Sequence, residues 1–245
     1  MQVIPIPAFS DNYLWLLVQG YEAVVVDPGD AAPVLAYLRQ HGLTLSAILI
    51  THHHSDHIGG VNALLCEFNC PVYAPHNPVF DFPYQTVTEV DEIRLLATQF
   101  KVLDVPGHTA IHIAYYGGNS LFCGDTLFGC GCGRIFDGSA EQLHASLQKI
   151  ALLPDNTLIY CAHEYTLNNI RFALSVDPDN TALQARQQAD QTLRNRGLPT
   201  LPSTLQLEKA TNPFLRCNTT ALQKAADNRD ELTVFCTLRE LKNKY

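Results

Sequence analysis

Positive charge is scarce in this chain of 245 residues. Sixteen lysines and arginines stand against 24 aspartates and glutamates, a formal net charge of −8 at pH 7. That balance argues against non-specific binding to nucleic acid. Long apolar runs are missing too: none approaches the roughly 20 residues that a membrane-spanning helix needs. Met1-Gln2-Val3-Ile4-Pro5-Ile6-Pro7 carries no basic residue ahead of an apolar core, so no secretory leader is expected. The eight cysteines, at 66, 70, 123, 130, 132, 161, 217 and 236, form no Cys-x-x-Cys pair. A structural zinc knuckle is therefore not expected, and free thiols in a reducing cytoplasm are. The glycine-rich stretch Gly129-Cys130-Gly131-Cys132-Gly133 has neither the Gly-x-Gly-x-x-Gly spacing nor the lysine of a nucleotide loop.

What remains is an ordinary globular composition, 47% hydrophobic and 16% charged, in which histidine is concentrated at one place. The string Thr51-His52-His53-His54-Ser55-Asp56-His57 follows Leu45-Ser46-Ala47-Ile48-Leu49-Ile50, an apolar run that reads as a buried strand. Side chains alternate along extended chain, so His52 and His54 share a side while His53 points away. Asp56 and His57 lie past the turn, where Ile58-Gly59-Gly60 lets the backbone double back. Four nitrogen or oxygen donors thus come in two pairs, and imidazole with carboxylate suits zinc, iron or manganese.

The rest of the chain supplies the frame. Residues 2–8, 13–19 and 22–26 read as strands, 31–40 as a helix with Pro33 in its first turn, and 61–69 as a helix behind the histidine loop. Short strands and turns fill 72–105. A hairpin is expected over 111–116 and 120–123, and a helix after the Ser139/Gln142 capping box to about 152. A last strand covers 157–161. Beyond Glu164 only helices are legible, over 166–176, 180–196, 203–210, 218–227 and 230–243, without strand signal. The expectation is an α/β metal domain over 1–165 and a small helical domain over 166–245.

Four donors in two pairs do not finish two sites. His108, Asp125 and His163 each stand at the exit of an expected strand, as His52 does, and strand exits on one sheet edge are where sites collect. Asp125 has two oxygens and can bridge cations about 3.5–4 Å apart. The full set is then His52, His54 and His108 on one metal, Asp56, His57 and His163 on the other, and Asp125 on both. Histidines 41, 53, 76, 112 and 144 have no such placement and are read as surface or supporting residues. Lowering the pKa of water from 15.7 to about 7 favours hydroxide by roughly 12 kcal/mol at neutral pH. The chemistry favoured is hydrolysis by a bridging hydroxide. Asp56, His54 and Asp125 form the expected catalytic set, Asp56 helping to orient that hydroxide.

The string His52-x-His54-x-Asp56-His57, followed in order by His108, Asp125 and His163, resembles the metallo-β-lactamase superfamily. That resemblance implies a four-layer αββα sandwich over roughly residues 1–165. Cys123-Gly124-Asp125-Thr126-Leu127-Phe128 running into Gly131-Cys132-Gly133-Arg134 looks like glyoxalase II, the hydroxyacylglutathione hydrolases. So do His163-Glu164-Tyr165-Thr166-x-Asn168-Asn169 and the tail ending Arg239-Glu240-Leu241-Lys242. The implied reaction is hydrolysis of S-D-lactoylglutathione to D-lactate and glutathione, in methylglyoxal detoxification. Its implied cofactors are two divalent cations per chain, zinc foremost, with iron or manganese as the alternatives. Arg134, Tyr165, Arg239 and Lys242 match the residues that hold glutathione in that family. One departure is Phe136, where relatives often carry tyrosine.

The tail supports this in part without the resemblance. Glutathione carries two carboxylates, so an acidic protein must gather cations locally to hold it. Arg239, Lys242 and Lys244 cluster at a helix end, although a helix dipole favours cations there in any case. The alternatives weighed are a mononuclear-iron persulfide dioxygenase of the same superfamily, and a non-catalytic metal or electron-transfer module. The complete set of seven ligands and the basic tail speak against the first; the second would carry acidic replacements among the histidines and a flavin domain behind them, and neither is read here. The expected partner is a small glutathione thioester, with no nucleic acid or membrane, and the expected state is a monomer.

Overall fold

The computed structural model describes residues 1–245. The chain forms two compact units: Met1–Asp104 with Ile111–Gly124, and Val105–Ala110 with Asp125–Tyr245.

The first unit holds two sheets. Strands β1 (Gln2–Ala8), β2 (Asn12–Gln19), β3 (Glu22–Val26), β4 (Thr44–Leu49), β5 (Val72–Ala74) and β6 (Gln85–Thr86) lie side by side in chain order. The first three pair antiparallel, and β3 to β6 pair parallel. Parallel strands need a crossover, and helices α1 (Ala31–His41) and α3 (Val61–Glu67) supply it. Val34 and Leu38 of α1 and Val61 and Leu64 of α3 are buried with Leu14, Leu16, Val25 and Ile48 of the sheet. The intervening residues Trp15, Leu17, Val24, Val26, Ala47 and Leu49 are buried on the other face. Burial of both faces explains why these strands read as continuous apolar runs.

The second sheet of this unit is β7 (Glu92–Leu95), β8 (Thr98–Asp104), β9 (Ile113–Gly117) and β10 (Ser120–Gly124), all antiparallel. Tyr115 on β9 places its hydroxyl 2.9 Å from the carbonyl oxygens of both Ile50 and Tyr73. Ile113 N–H donates to Thr51 O. Both bonds tie the second sheet to the place where β4 ends.

The second unit is mostly helical: α4 (Ala140–Ala151), α5 (Thr166–Val176), α6 (Thr181–Asn195), α7 (Leu205–Thr211), α8 (Thr220–Ala225) and α9 (Glu231–Lys244). The Ser139/Gln142 capping box opens α4 as expected. Two features depart from the sequence reading. Leu127–Phe128 (β11) and Gly131–Cys132 (β12) form a small hairpin, and Ser203–Thr204 (β14) pairs with β13 (Leu158–Cys161). Pairs of strand residues leave no periodic trace, so β14 falls inside the helix expected over 203–210.

The core of this unit combines apolar and polar parts. Phe214 stacks on Phe172 at a centroid distance of 6.1 Å and meets Phe235 edge to face at 5.7 Å. Beside them Arg186 donates to Glu208 at 2.6 Å and to Asp190 at 3.2 Å, all three buried. Glu208 also accepts from Ser203, Asn212 and the Cys130 backbone. Both of its oxygens are engaged, the condition under which a buried charge is tolerated.

Candidate metal centre

In the first unit the donors assemble at the end of β4. His52 is fully buried, and its Nε2 lies 3.1 Å from Nδ1 of half-buried His54. The backbone then enters a single helical turn, α2 (Ser55–Ile58), rather than an open loop. Asp56 and His57 therefore sit one after the other in a helix, with His57 Nε2 3.6 Å from Asp56 Oδ2. The alternation argument for His52 and His54 holds, and the second pair is set by helical geometry instead.

Gly29 makes room for that turn. A Cβ there would lie 1.8 Å from the Asp56 carbonyl oxygen, so no other residue fits without moving Asp56. The same bend presents Asp27, which the sequence marks only as a strand end. Asp27 takes a left-handed φ of 50° and is 3% exposed. Its carboxylate accepts from Thr51 N and Thr51 Oγ1, each at 2.7 Å, and from His57 Nδ1 at 3.0 Å. Thr51 Oγ1, its own proton given to Asp27, accepts from His52 Nδ1 at 3.0 Å. Asp27 thus fixes both imidazoles so that each offers Nε2. The only trace in sequence is the Asp-Pro-Gly ending of β3. Asn12, likewise unmarked in sequence, donates to Asp56 Oδ2 at 3.0 Å. His112, read as a supporting residue, is buried and stacks on the His52 ring at 4.5 Å.

In the second unit Asp125 stands between two imidazoles. Its Oδ2 is 3.5 Å from His108 Nε2 and its Oδ1 is 3.4 Å from His163 Nε2. Each oxygen of one carboxylate faces a different histidine, the arrangement a bridging ligand needs. His108 Nδ1 donates to the Arg134 carbonyl oxygen at 2.6 Å, so its Nε2 is also the offered atom.

These spacings test the fit to a metal. Two donors about 2.0–2.1 Å from a tetrahedral cation lie about 3.4 Å apart. The four donor pairs, at 3.1, 3.6, 3.5 and 3.4 Å, have that spacing. Histidine and aspartate donors without thiolate suit divalent zinc, iron or manganese alike.

A model of the metallo-β-lactamase superfamily matches residues 9–163, and one of the hydroxyacylglutathione hydrolase C-terminus matches 164–245. A hydroxyacylglutathione hydrolase from Nitrosomonas eutropha is 51% identical over 253 residues, which take in 100% of this chain and 99% of the relative. The chain belongs to the hydroxyacylglutathione hydrolase family. Among solved structures, ETHE1 from Myxococcus xanthus aligns with a TM-score of 0.72 at 26% identity, over 98% of this chain and 91% of that one. TTHA1623, solved in a di-iron-bound form, aligns with a TM-score of 0.62 at 27% identity, over 88% of this chain and 100% of that one. The fold is that of the metallo-β-lactamases with the family's helical C-terminus.

The residues matched to the family's glutathione contacts are not equivalent here. Arg134 is exposed. Tyr165 stacks face to face on His163 at 4.8 Å, with Phe128 5.4 Å from Tyr165 at a right angle. Phe136 is 62% exposed and meets the His108 ring edge-on at 5.2 Å. Lys242 is half-buried between the Phe172 and Tyr245 rings, 5.4 and 5.3 Å from their centres. Desolvation pushes its ammonium down to about 8, with help from Arg239 and Arg171. Arg239, by contrast, is buried, and its guanidinium donates to backbone carbonyls.

Proposed function

We propose that this protein hydrolyses S-D-lactoylglutathione and related 2-hydroxyacylglutathiones to the free hydroxy acid and glutathione. The observation that carries the reading is the Asp125 carboxylate facing His108 with one oxygen and His163 with the other. In this reading His52, His54 and His108 hold one cation, Asp56, His57 and His163 the second, and Asp125 both. Bound there, divalent cations would supply a hydroxide at neutral pH and positive charge to offset the oxyanion of a thioester. Zinc is the first expectation, with iron or manganese accepted by the same donors. The di-iron neighbour supports a pair of metals without deciding which they are.

This chain's residues then divide the work. Asp27 and Thr51 hold His57 and His52 in the donating tautomer. Asn12 holds one Asp56 oxygen, leaving Asp56 placed to orient the nucleophile. His54 and Asp125 complete the catalytic set as ligands. In this reading Arg134, Tyr165, Arg239 and Lys242 hold the glutathione part, with Phe136 offering an apolar face where a phenol would add a hydrogen bond.

Every helix is too short or too polar to cross a membrane, and all eight cysteines are unbridged. Action on a small molecule in the cytoplasm, by a monomeric chain, completes the proposal. The experiment is loss of thioester absorbance with S-D-lactoylglutathione, run beside a β-lactam and a glutathione persulfide. Rapid turnover of the thioester alone is expected. Turnover of the persulfide with oxygen uptake would select the dioxygenase reading instead.

A further inference from the structure

Tyr165 lays its ring face to face on His163, with 4.8 Å between centres and 3° between planes. Phe128 meets both rings at right angles, 5.4 Å from Tyr165 and 5.9 Å from His163. The two stacked residues lie two apart in the chain, so the residue between them turns to the other side, as alternation requires. That residue is Glu164, whose side chain is 7% exposed. Its carboxylate accepts from Thr200 N at 2.9 Å and from Thr200 Oγ1 at 2.5 Å. Arg194 Nη1 stands 3.7 Å from the same carboxylate and donates to Leu198 O at 2.9 Å. A carboxylate with so little contact with water keeps its place only while such bonds are made.

Thr200 reaches the other flank of Tyr165 as well. Its Oγ1 lies 2.7 Å from Oγ1 of Thr166, the first residue of α5. A hydroxyl has one proton to give and two lone pairs to accept with. Thr200 gives its proton to Glu164, so Thr166 donates to Thr200. Thr166 has no exposed surface, and a Cβ on Gly129 would lie 2.3 Å from its Oγ1. The hairpin that bears Phe128 therefore packs on the same hydroxyl. One threonine, from the loop between α6 and β14, thus ties down the residues on both sides of Tyr165. Tyr165 itself opens α5 without a side-chain cap.

We infer that Thr200 is a positioning residue for Tyr165, acting through Glu164 and Thr166, and so helps set how tightly the chain takes its substrate. The inference rests on the proposed hydrolase reading, in which Tyr165 meets the glutathione part of the thioester. Its physical content is preorganisation. Tyr165 is 36% exposed while Thr166 and the Glu164 side chain are enclosed, so the ring is presented from a fixed base. A ring already ordered loses little freedom when substrate arrives. With the clamp broken, that ordering has to happen during binding, and its cost falls on KM rather than on kcat.

The test compares T200V, T200S, Y165L and the double variant T200V/Y165L in the full chain supplied with zinc, after thermal melts show each folded. T200A replaces T200V if the valine variant is unfolded. With S-D-lactoylglutathione, T200V is expected to raise KM about 2- to 12-fold, the worth of one hydrogen bond, at nearly unchanged kcat. T200S keeps the hydroxyl and is expected to keep the KM of the unaltered chain. In the Y165L background, T200V is expected to raise KM no further, because the ring it positions is gone. A lower melting temperature at unchanged KM would overturn the inference, and so would a T200V effect of full size without Tyr165. The aromatic NMR resonances of Tyr165, assigned by their loss in Y165L, give a reading without substrate. T200V is expected to shift them and T200S to leave them in place; unshifted resonances in T200V would overturn the inference. Failure of the hydrolase reading would look different, because the unaltered chain would then turn over no thioester while those resonances still answered for the clamp.

Discussion

Asp27 accepts the Nδ1 proton of His57 at 3.0 Å while two Thr51 donors occupy the rest of its carboxylate. The residues are 30 positions apart, and the parallel pairing of Val26 with Leu49 brings them together at the exits of β3 and β4. Removing the carboxylate frees the His57 ring and strands the Thr51 donors. Asp27→Ala is expected to weaken metal binding about 10- to 100-fold and to lower Tm. Metal content after dialysis, with a melt of the same sample, checks both.

Asp125 offers one oxygen to each imidazole, so its loss is not equivalent to loss of a terminal ligand. Asp125→Ala is expected to abolish turnover and reduce bound metal below one equivalent per chain. His163→Ala is expected to leave about one equivalent. Elemental analysis of the two variants distinguishes them, and equal losses would argue against a bridge.

Lys242 titrates at about 8 rather than at its ordinary 10.5. Below 8 the ammonium is charged and, in the proposed role, would attract a glutathione carboxylate; above 8 that attraction would fade. The value of kcat/KM is expected to fall as pH rises through about 8, while kcat, measured with the anion bound, falls at higher pH or not at all. Lys242→Ala raises KM below pH 8 and removes that limb. For stability the sign is opposite. Between about 8 and 10.5 the unfolded chain binds the extra proton, so this group's contribution to stability rises with pH.

Phe136 lies open beside His108. A phenol there adds one hydrogen bond, worth about 0.5–1.5 kcal/mol. Phe136→Tyr is expected to lower KM for glutathione thioesters by about 2- to 12-fold with little change in kcat. Steady-state kinetics on one substrate is sufficient.

Glu208, with no exposed surface, holds Arg186, Ser203, Asn212 and the Cys130 amide. Glu208→Ala leaves a buried guanidinium without its main counter-charge and is expected to destabilise by about 3–5 kcal/mol. Denaturant unfolding measures it.

The ligand string is legible in sequence because alternation along a strand and the strand's exit are local features. His108, Asp125 and His163 are legible by the same sign, each following a strand. Asp27 and Asn12 are not, because sheet pairing, not spacing, brings them to His57 and Asp56. The helical turn at Ser55–Ile58 is too short to show a period. In the tail the charges of Arg239 and Lys242 are plain, but their fates differ through burial. One is enclosed against loop carbonyls and the other is half open between aromatic rings.

In the proposed mechanism two cations shared through Asp125 would make this chain a thioester hydrolase. Its most direct test adds a divalent metal stepwise to chelator-stripped protein while following the absorbance of S-D-lactoylglutathione. No turnover is expected in stripped protein, and the rate is expected to climb to a plateau at two equivalents per chain. A plateau at one equivalent, or turnover that survives stripping, would contradict it.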